Sequence, residues 1–137
     1  MADTMRVVDY YYVKIADKPG AGAKVLEALR AAGVNLAAFH AFPKGRRSQL
    51  DFVPSDAAKL KAAAKEGRFK LTGPKKAFLI EGDDRVGAVA EIVGKLAAAK
   101  VNVTAMDAVC AGSGRFGSLL WVNPRAVKKA AKTLGAA

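Results

Sequence analysis

The stretch Asp83-Asp84-Arg85-Val86-Gly87 stands 67 residues after Ala16-Asp17-Lys18-Pro19-Gly20. The two run on without a gap to Ala99-Lys100-Val101-Asn102-Val103 and Ala32-Gly33-Val34-Asn35-Leu36. Val25 and Leu29 fall on Ile92 and Leu96, so the repeat carries apolar positions as well as turn residues. Self-similarity at a fixed period points to a duplicated supersecondary unit. Further on, Phe52-Val53 matches Trp121-Val122 at an offset of 69, which calls for two extra residues in the second half, expected at Gly112-Ser113-Gly114.

Local patterns give each half the same order. Val7 to Ile15 is β-branched and aromatic, with Val7, Tyr11, Val13 and Ile15 on one face and Val8, Tyr10, Tyr12 and Lys14 on the other. Asp17 is a candidate helix cap, Pro19 suits a first turn, and Val25, Leu26, Leu29 and Ala32 form a helical stripe ending before Gly33. Leu36 to Phe42 and Gln49 to Val53 read as a hairpin. Ser55 or Asp56 caps a short helix to about Lys65, and Phe69 to Thr72 is a fourth strand. The second half offers strand Ala77 to Glu81, helix Val86 to Ala99, strands Val101 to Cys110 and Phe116 to Val122, and helix Pro124 to Leu134. No residues follow for a fourth strand. The expectation is therefore an α+β chain of two β-α-β-β-α-β modules, residues 1–73 and 74–137, the second lacking its last strand. An open strand edge is a template for pairing, so a homodimer or higher oligomer is expected.

The 137 residues are 52% hydrophobic, enough for a core, and contain no apolar run approaching the roughly 20 residues of a membrane span. No secretory leader is apparent, and one cysteine, Cys110, suits a reducing compartment, so a soluble cytoplasmic protein is expected. One His and one Cys cannot form a His/Cys metal cluster, no cofactor motif is present, and neither metal nor cofactor is expected. The formal charge of +11 divides into 13 basic and 7 acidic residues up to Gly73 and 10 and 5 from Pro74. It suits solvated surface lysines or an anionic partner.

The turn before the first helix carries Asp-x-x-Gly in both halves, Asp17 to Gly20 and Asp84 to Gly87. Glycine at a helix start lets backbone N–H groups approach a ligand, and the helix N-terminus favours a carboxylate; a structural cap and turn is the alternative. Asn35 and Asn102, after the helices, are turn formers or polar ligand contacts. Asp17-Lys18-Pro19-Gly20-Ala21-Gly22-Ala23-Lys24-Val25-Leu26-Glu27-Ala28-Leu29 followed by Ala32-Gly33-Val34-Asn35-Leu36 resembles an ACT domain. Asp83-Asp84-Arg85-Val86-Gly87 through Lys100-Val101-Asn102-Val103 resembles a second. The resemblance covers residues 6–134. It implies ferredoxin-like modules that bind amino acids or similar effectors and regulate a partner without catalysing a reaction. It carries the ligand contacts onto Asp17, Gly20, Asn35, Asp84, Gly87 and Asn102, with the intact first copy the better site.

Two other readings compete. RNA-recognition motifs share the element order but stack bases on strand aromatics. Here Ser118 takes a stacking position and Asp51 lies on the equivalent strand, which argues against nucleic acid. For an enzyme, His40 aligns with Asp107 and the two could serve acid-base chemistry, yet a half-exposed strand histidine accounts for the residue as well. Cys110 ends an apolar strand and reads as a quiet packed thiol.

Overall fold

The computed structural model describes residues 3–137. Among them the chain is α+β, with six antiparallel strands and four α-helices. The order is β1 (Thr4–Ala16), α1 (Ala21–Ala31), β2 (Leu36–Lys44), β3 (Arg47–Pro54), α2 (Ala57–Gly67) and β4 (Thr72–Asp83). It continues with α3 (Ala88–Ala98), β5 (Val103–Cys110), β6 (Arg115–Val122), a 3₁₀ turn (Pro124–Ala126) and α4 (Val127–Leu134). No helix among the described residues is long and apolar enough to cross a membrane.

Two compact units divide the chain, Asp9–Lys75 and the residues up to Val8 together with Lys76–Ala137. In Asp9–Lys75 the strands lie in the order β2-β3-β1-β4, with β4 contributing its first residues. Tyr11 and Val13 of β1 alternate inward, as the period of a strand requires, onto Val25 and Leu29 of α1, Leu60 of α2 and Phe52 of β3. Leu60 and Phe52 are fully buried and Leu29 nearly so; each contributes about 1.5–3 kcal/mol by leaving water. Asp56 caps α2, accepting from the N–H groups of Ala58 and Lys59 at 3.0 and 3.4 Å.

The other unit is built from β5-β6-β4 with β1 beside β4. Phe78 and Ile80 of β4 pack on Ile92 and Leu96 of α3, Leu120 of β6 and Ala130 of α4. Met5 is buried in the same cluster and Val7 packs against it. The expected missing strand is thereby corrected: residues 4–8, the start of β1, supply it. Met5 and Val7 alternate into this core as Tyr11 and Val13 do into the first. The edge on which self-association was expected is thus occupied, and the Val7 N–H also donates to the Ala137 carbonyl at 2.9 Å.

The division at residues 73 and 74 needs a related correction. Gly73-Pro74 reads as punctuation between two strands, whereas β4 is continuous from Thr72 to Asp83. Gly73 is there because of a close approach: a Cβ on it would meet the Tyr10 carbonyl oxygen at 2.9 Å and the Tyr11 ring at 2.9 Å. The hairpin count also changes. Ala38 faces Val53 and Ala105 faces Trp121, which sets the offset on the return strand at 68, and the second hairpin therefore gains one residue, not two.

Candidate functional site

The turn entering α3 starts from Gly87, whose φ of +82° is left-handed and costs an L side chain, though a Cβ there would touch nothing within 4 Å. Glycine is needed for its backbone, not for space. The Asp84 N–H donates to the Gly114 carbonyl at 2.9 Å and ties the turn to the β5-β6 hairpin. Arg85 fixes it from the other side. Its guanidinium donates to both carboxylate oxygens of Asp3 at 3.0 Å, to the Asp83 carbonyl at 3.0 Å and to Glu91 at 2.8 Å. The bonds to Asp3, then those to Glu91, hold its pKa above the ordinary arginine value. Asp3 reaches Arg85 across Gly82, where a Cβ would run into the Asp3 carboxylate and the Phe116 ring.

No side chain caps α3. The amides of Val89 and Ala90 belong to the first turn, whose N–H groups have no acceptor within the helix. Both residues line a cavity of about 250 Å³, together with Arg85, Val109, Cys110 and Phe116. The cavity joins uncapped amides to an apolar rim, for Val89 and Val109 are exposed large apolar side chains. Asp84 stands at its edge beside Cys110. Cys110 is exposed, not packed as the strand pattern suggested. The hydrogen bond to Asp84, then burial, pushes its pKa up.

The turn entering α1 has the same backbone, with Gly20 at φ +87°. Asp17 does not cap the helix as expected: the N-cap is Gly20, three residues on, and Asp17 instead accepts a hydrogen bond from the Ser48 hydroxyl at 3.1 Å. The strand registers show what surrounds each turn. Ile15, Phe42, Pro43 and Gln49 stand where the other unit has Gly82, Val109, Cys110 and Gly117. Four larger side chains occupy the corresponding positions. A cavity of about 250 Å³ in this unit lies instead between α1 and α2, against Ala28, Ala32, Ala63 and Glu66.

The asparagines do not join either turn within a unit. Each follows the C-terminal end of an eleven-residue helix, about 16 Å of helix from the glycine at its start. The Asn35 amide donates to the Ser55 hydroxyl at 3.0 Å, and the Ser55 N–H to the Asn35 carbonyl at 2.9 Å, so Asn35 closes the α1-β2 turn. Asn102 is exposed. His40 lies 3.6 Å from the buried Asp51 on the neighbouring strand, and Asp51 also accepts from the Gln49 amide at 2.9 Å. Asp107, aligned with His40, accepts from the Leu119 N–H of its own partner strand at 3.1 Å. Burial, then Asp51, then Tyr12 raise the pKa of Tyr10.

Residue reading missed Asp3, Arg85, Val89, Val109 and Phe116. The signal lay in the aligned repeats: at the strand positions around the second turn the chain has Gly, Val, Cys and Gly against Ile, Phe, Pro and Gln.

No family model and no curated protein matches the chain. Solved structures do match in fold. A protein of Bacteroides thetaiotaomicron has a TM-score of 0.82 at 21% identity, over 96% of this chain and 88% of that one. The ligand-free regulatory subunit of aspartate kinase from Thermus thermophilus has a TM-score of 0.65 at 16% identity, over 98% and 96%. A putative C-terminal regulatory domain of aspartate kinase from Porphyromonas gingivalis has 0.58 at 18% identity, over 98% and 95%. The chain thus has the fold of aspartate kinase regulatory domains.

Proposed function

We propose that this chain is a non-catalytic regulatory protein of two ACT-like units that binds an amino acid, or a molecule of that size and charge, at the turn entering α3. The observation that carries the reading is the cavity over the uncapped first turn of α3. Helix N-terminal amides favour an anionic group, so the ligand carboxylate sits on the Val89 and Ala90 N–H groups. Asp84 accepts the ligand ammonium. Val89, Val109 and Phe116 take its side chain.

Arg85 positions the turn and is not the carboxylate receptor, because its donors already serve Asp3, Glu91 and the Asp83 carbonyl. A cavity of about 250 Å³ falls below the roughly 300–1,000 Å³ of sites for drug-sized ligands, which fits a small metabolite. The fold shared with aspartate kinase regulatory subunits supports the regulatory role. Binding would act by favouring one of two states of the chain or its assembly. Asp17 and Gly20 form the structural copy of the turn, and Asn35 and Asn102 shape the turns after the helices.

The test is calorimetry and thermal shift with the common amino acids, followed by iodoacetamide labelling of Cys110. A true ligand raises the melting temperature and slows labelling, because the thiol lines the cavity. Val89→Asp abolishes both effects and Gly20→Ala abolishes neither. If no amino acid alters melting or labelling, the reading is wrong.

A further inference from the structure

The +11 charge is not spread evenly over the fold. In the unit built from residues up to Val8 and from Lys76 on, the residues before Asn123 carry six basic and six acidic side chains. The whole excess of four in that unit is Arg125, Lys128, Lys129 and Lys132, with no acidic residue after Asp107. All four are exposed. At 100° per residue they fall on one face of the 3₁₀ turn and α4, opposite the side on which Val127, Ala130 and Leu134 enter the core.

The other unit repeats the arrangement: Lys61 and Lys65 of α2 stand 67 residues before Lys128 and Lys132, and both are exposed. By contrast, α1 and α3 carry ion pairs, Glu27 with Arg30 at 2.8 Å in α1 and Glu91 of α3 with Lys95 at 3.9 Å and with Arg85, ahead of the helix, at 2.8 Å. Among the described residues no carboxylate lies within ion-pair distance of the α2 or α4 lysines, although Lys61 extends over the Tyr11 ring at 5.7 Å.

We propose that the basic faces of α4 and α2 bind the phosphate backbone of double-stranded nucleic acid without reading its sequence. Cations recur along α4 at each turn, about 5.4 Å apart, a regular row that suits a regular row of phosphates. A membrane surface would need apolar side chains beside the lysines, and the apolar side of α4 is spent in the core. Single strands need aromatic platforms, and neither helix has an aromatic residue. An acidic protein would be held by aromatic or apolar anchors, which these faces lack. The inference is independent of the ligand at α3.

The experiment is fluorescence anisotropy with a mixed-sequence duplex of about 25 base pairs, DNA and RNA in turn, between about 50 and 200 mM salt. Lys128→Gln/Lys129→Gln/Lys132→Gln is expected to lose on the order of 10²-fold in affinity at about 100 mM salt and to reduce the salt slope by about 3. Glutamine keeps the helix propensity of lysine, and an unchanged melting temperature confirms the fold. Lys61→Gln/Lys65→Gln gives a smaller loss. Lys18→Gln/Lys24→Gln/Lys100→Gln removes the same charge elsewhere and should leave affinity within a few fold. The proposal fails if the duplex does not bind at about 50 mM salt, or if the control variant loses as much as the α4 variant. It fails equally if phosphatidylserine vesicles or polyglutamate bind as tightly as the duplex.

Discussion

The turns at Gly20 and Gly87 have the same left-handed backbone and start helices of equal length, and a cavity of about 250 Å³ opens beside the second. At the first, Asp17 is engaged by Ser48 and the neighbouring strand positions hold Ile15, Phe42, Pro43 and Gln49. At the second, Arg85 pulls Asp3 and Glu91 around the turn, and Gly82, Val109, Cys110 and Gly117 stand beside it. The difference teaches that a repeated backbone motif supplies donors, and that the side chains on adjacent strands set the surroundings of those donors.

The largest effect that would break the comparison comes from deleting residues 2–8. Loss of the strand holding Met5 and Val7 should exceed the about 2–5 kcal/mol of one large-to-Ala core substitution and fall on one unit. Hydrogen exchange should show residues 76–137 losing protection while 9–75 keep theirs; equal loss in both would refute the assignment of that strand. Next, Leu29→Ala and Leu96→Ala occupy matching, fully buried positions, and each should cost about 2–5 kcal/mol in chemical denaturation. A clear inequality would show that the two cores are not packed alike.

Smaller again, Gly20→Ala and Gly87→Ala should each cost about 1–2 kcal/mol, because both demand a left-handed φ and neither is crowded. Only Gly87→Ala should also weaken amino-acid binding by calorimetry. The smallest effect concerns Cys110. Because Asp84 raises its pKa, alkylation should rise only above the pH at which an ordinary thiol ionises. Asp84→Asn removes the negative neighbour and should move the labelling profile to lower pH. A profile unmoved by that substitution would separate Asp84 from the site.

Much of the element order was legible because it rests on short-range pattern. A cap at Ser55 or Asp56, of which Asp56 is the one that forms, Leu29 and Leu96 as inward positions and Phe52 on a strand all follow from period and turn chemistry. Errors arose where a residue served a distant neighbour. Gly73 was placed at the end of a module and makes a close approach to Tyr10 and Tyr11 within β4, while Asp17 looked like a cap and bonds Ser48. Asn35 and Gly20, which the family resemblance assigns to ligand contacts together, sit at opposite ends of α1.

The amino-acid sequence alone determined the 67-residue repeat, the alternation of strands and helices and the faces they bury, because these depend on periodicities within a dozen residues. Tertiary structure decided that the opening residues complete the later unit, since a strand's hydrogen-bonding partner is chosen by the whole sheet and not by its neighbours in the chain. It also decided that a cavity opens beside the turn entering α3. That depends on the volumes of side chains brought together from three strands, a sum that no single stretch of the chain contains.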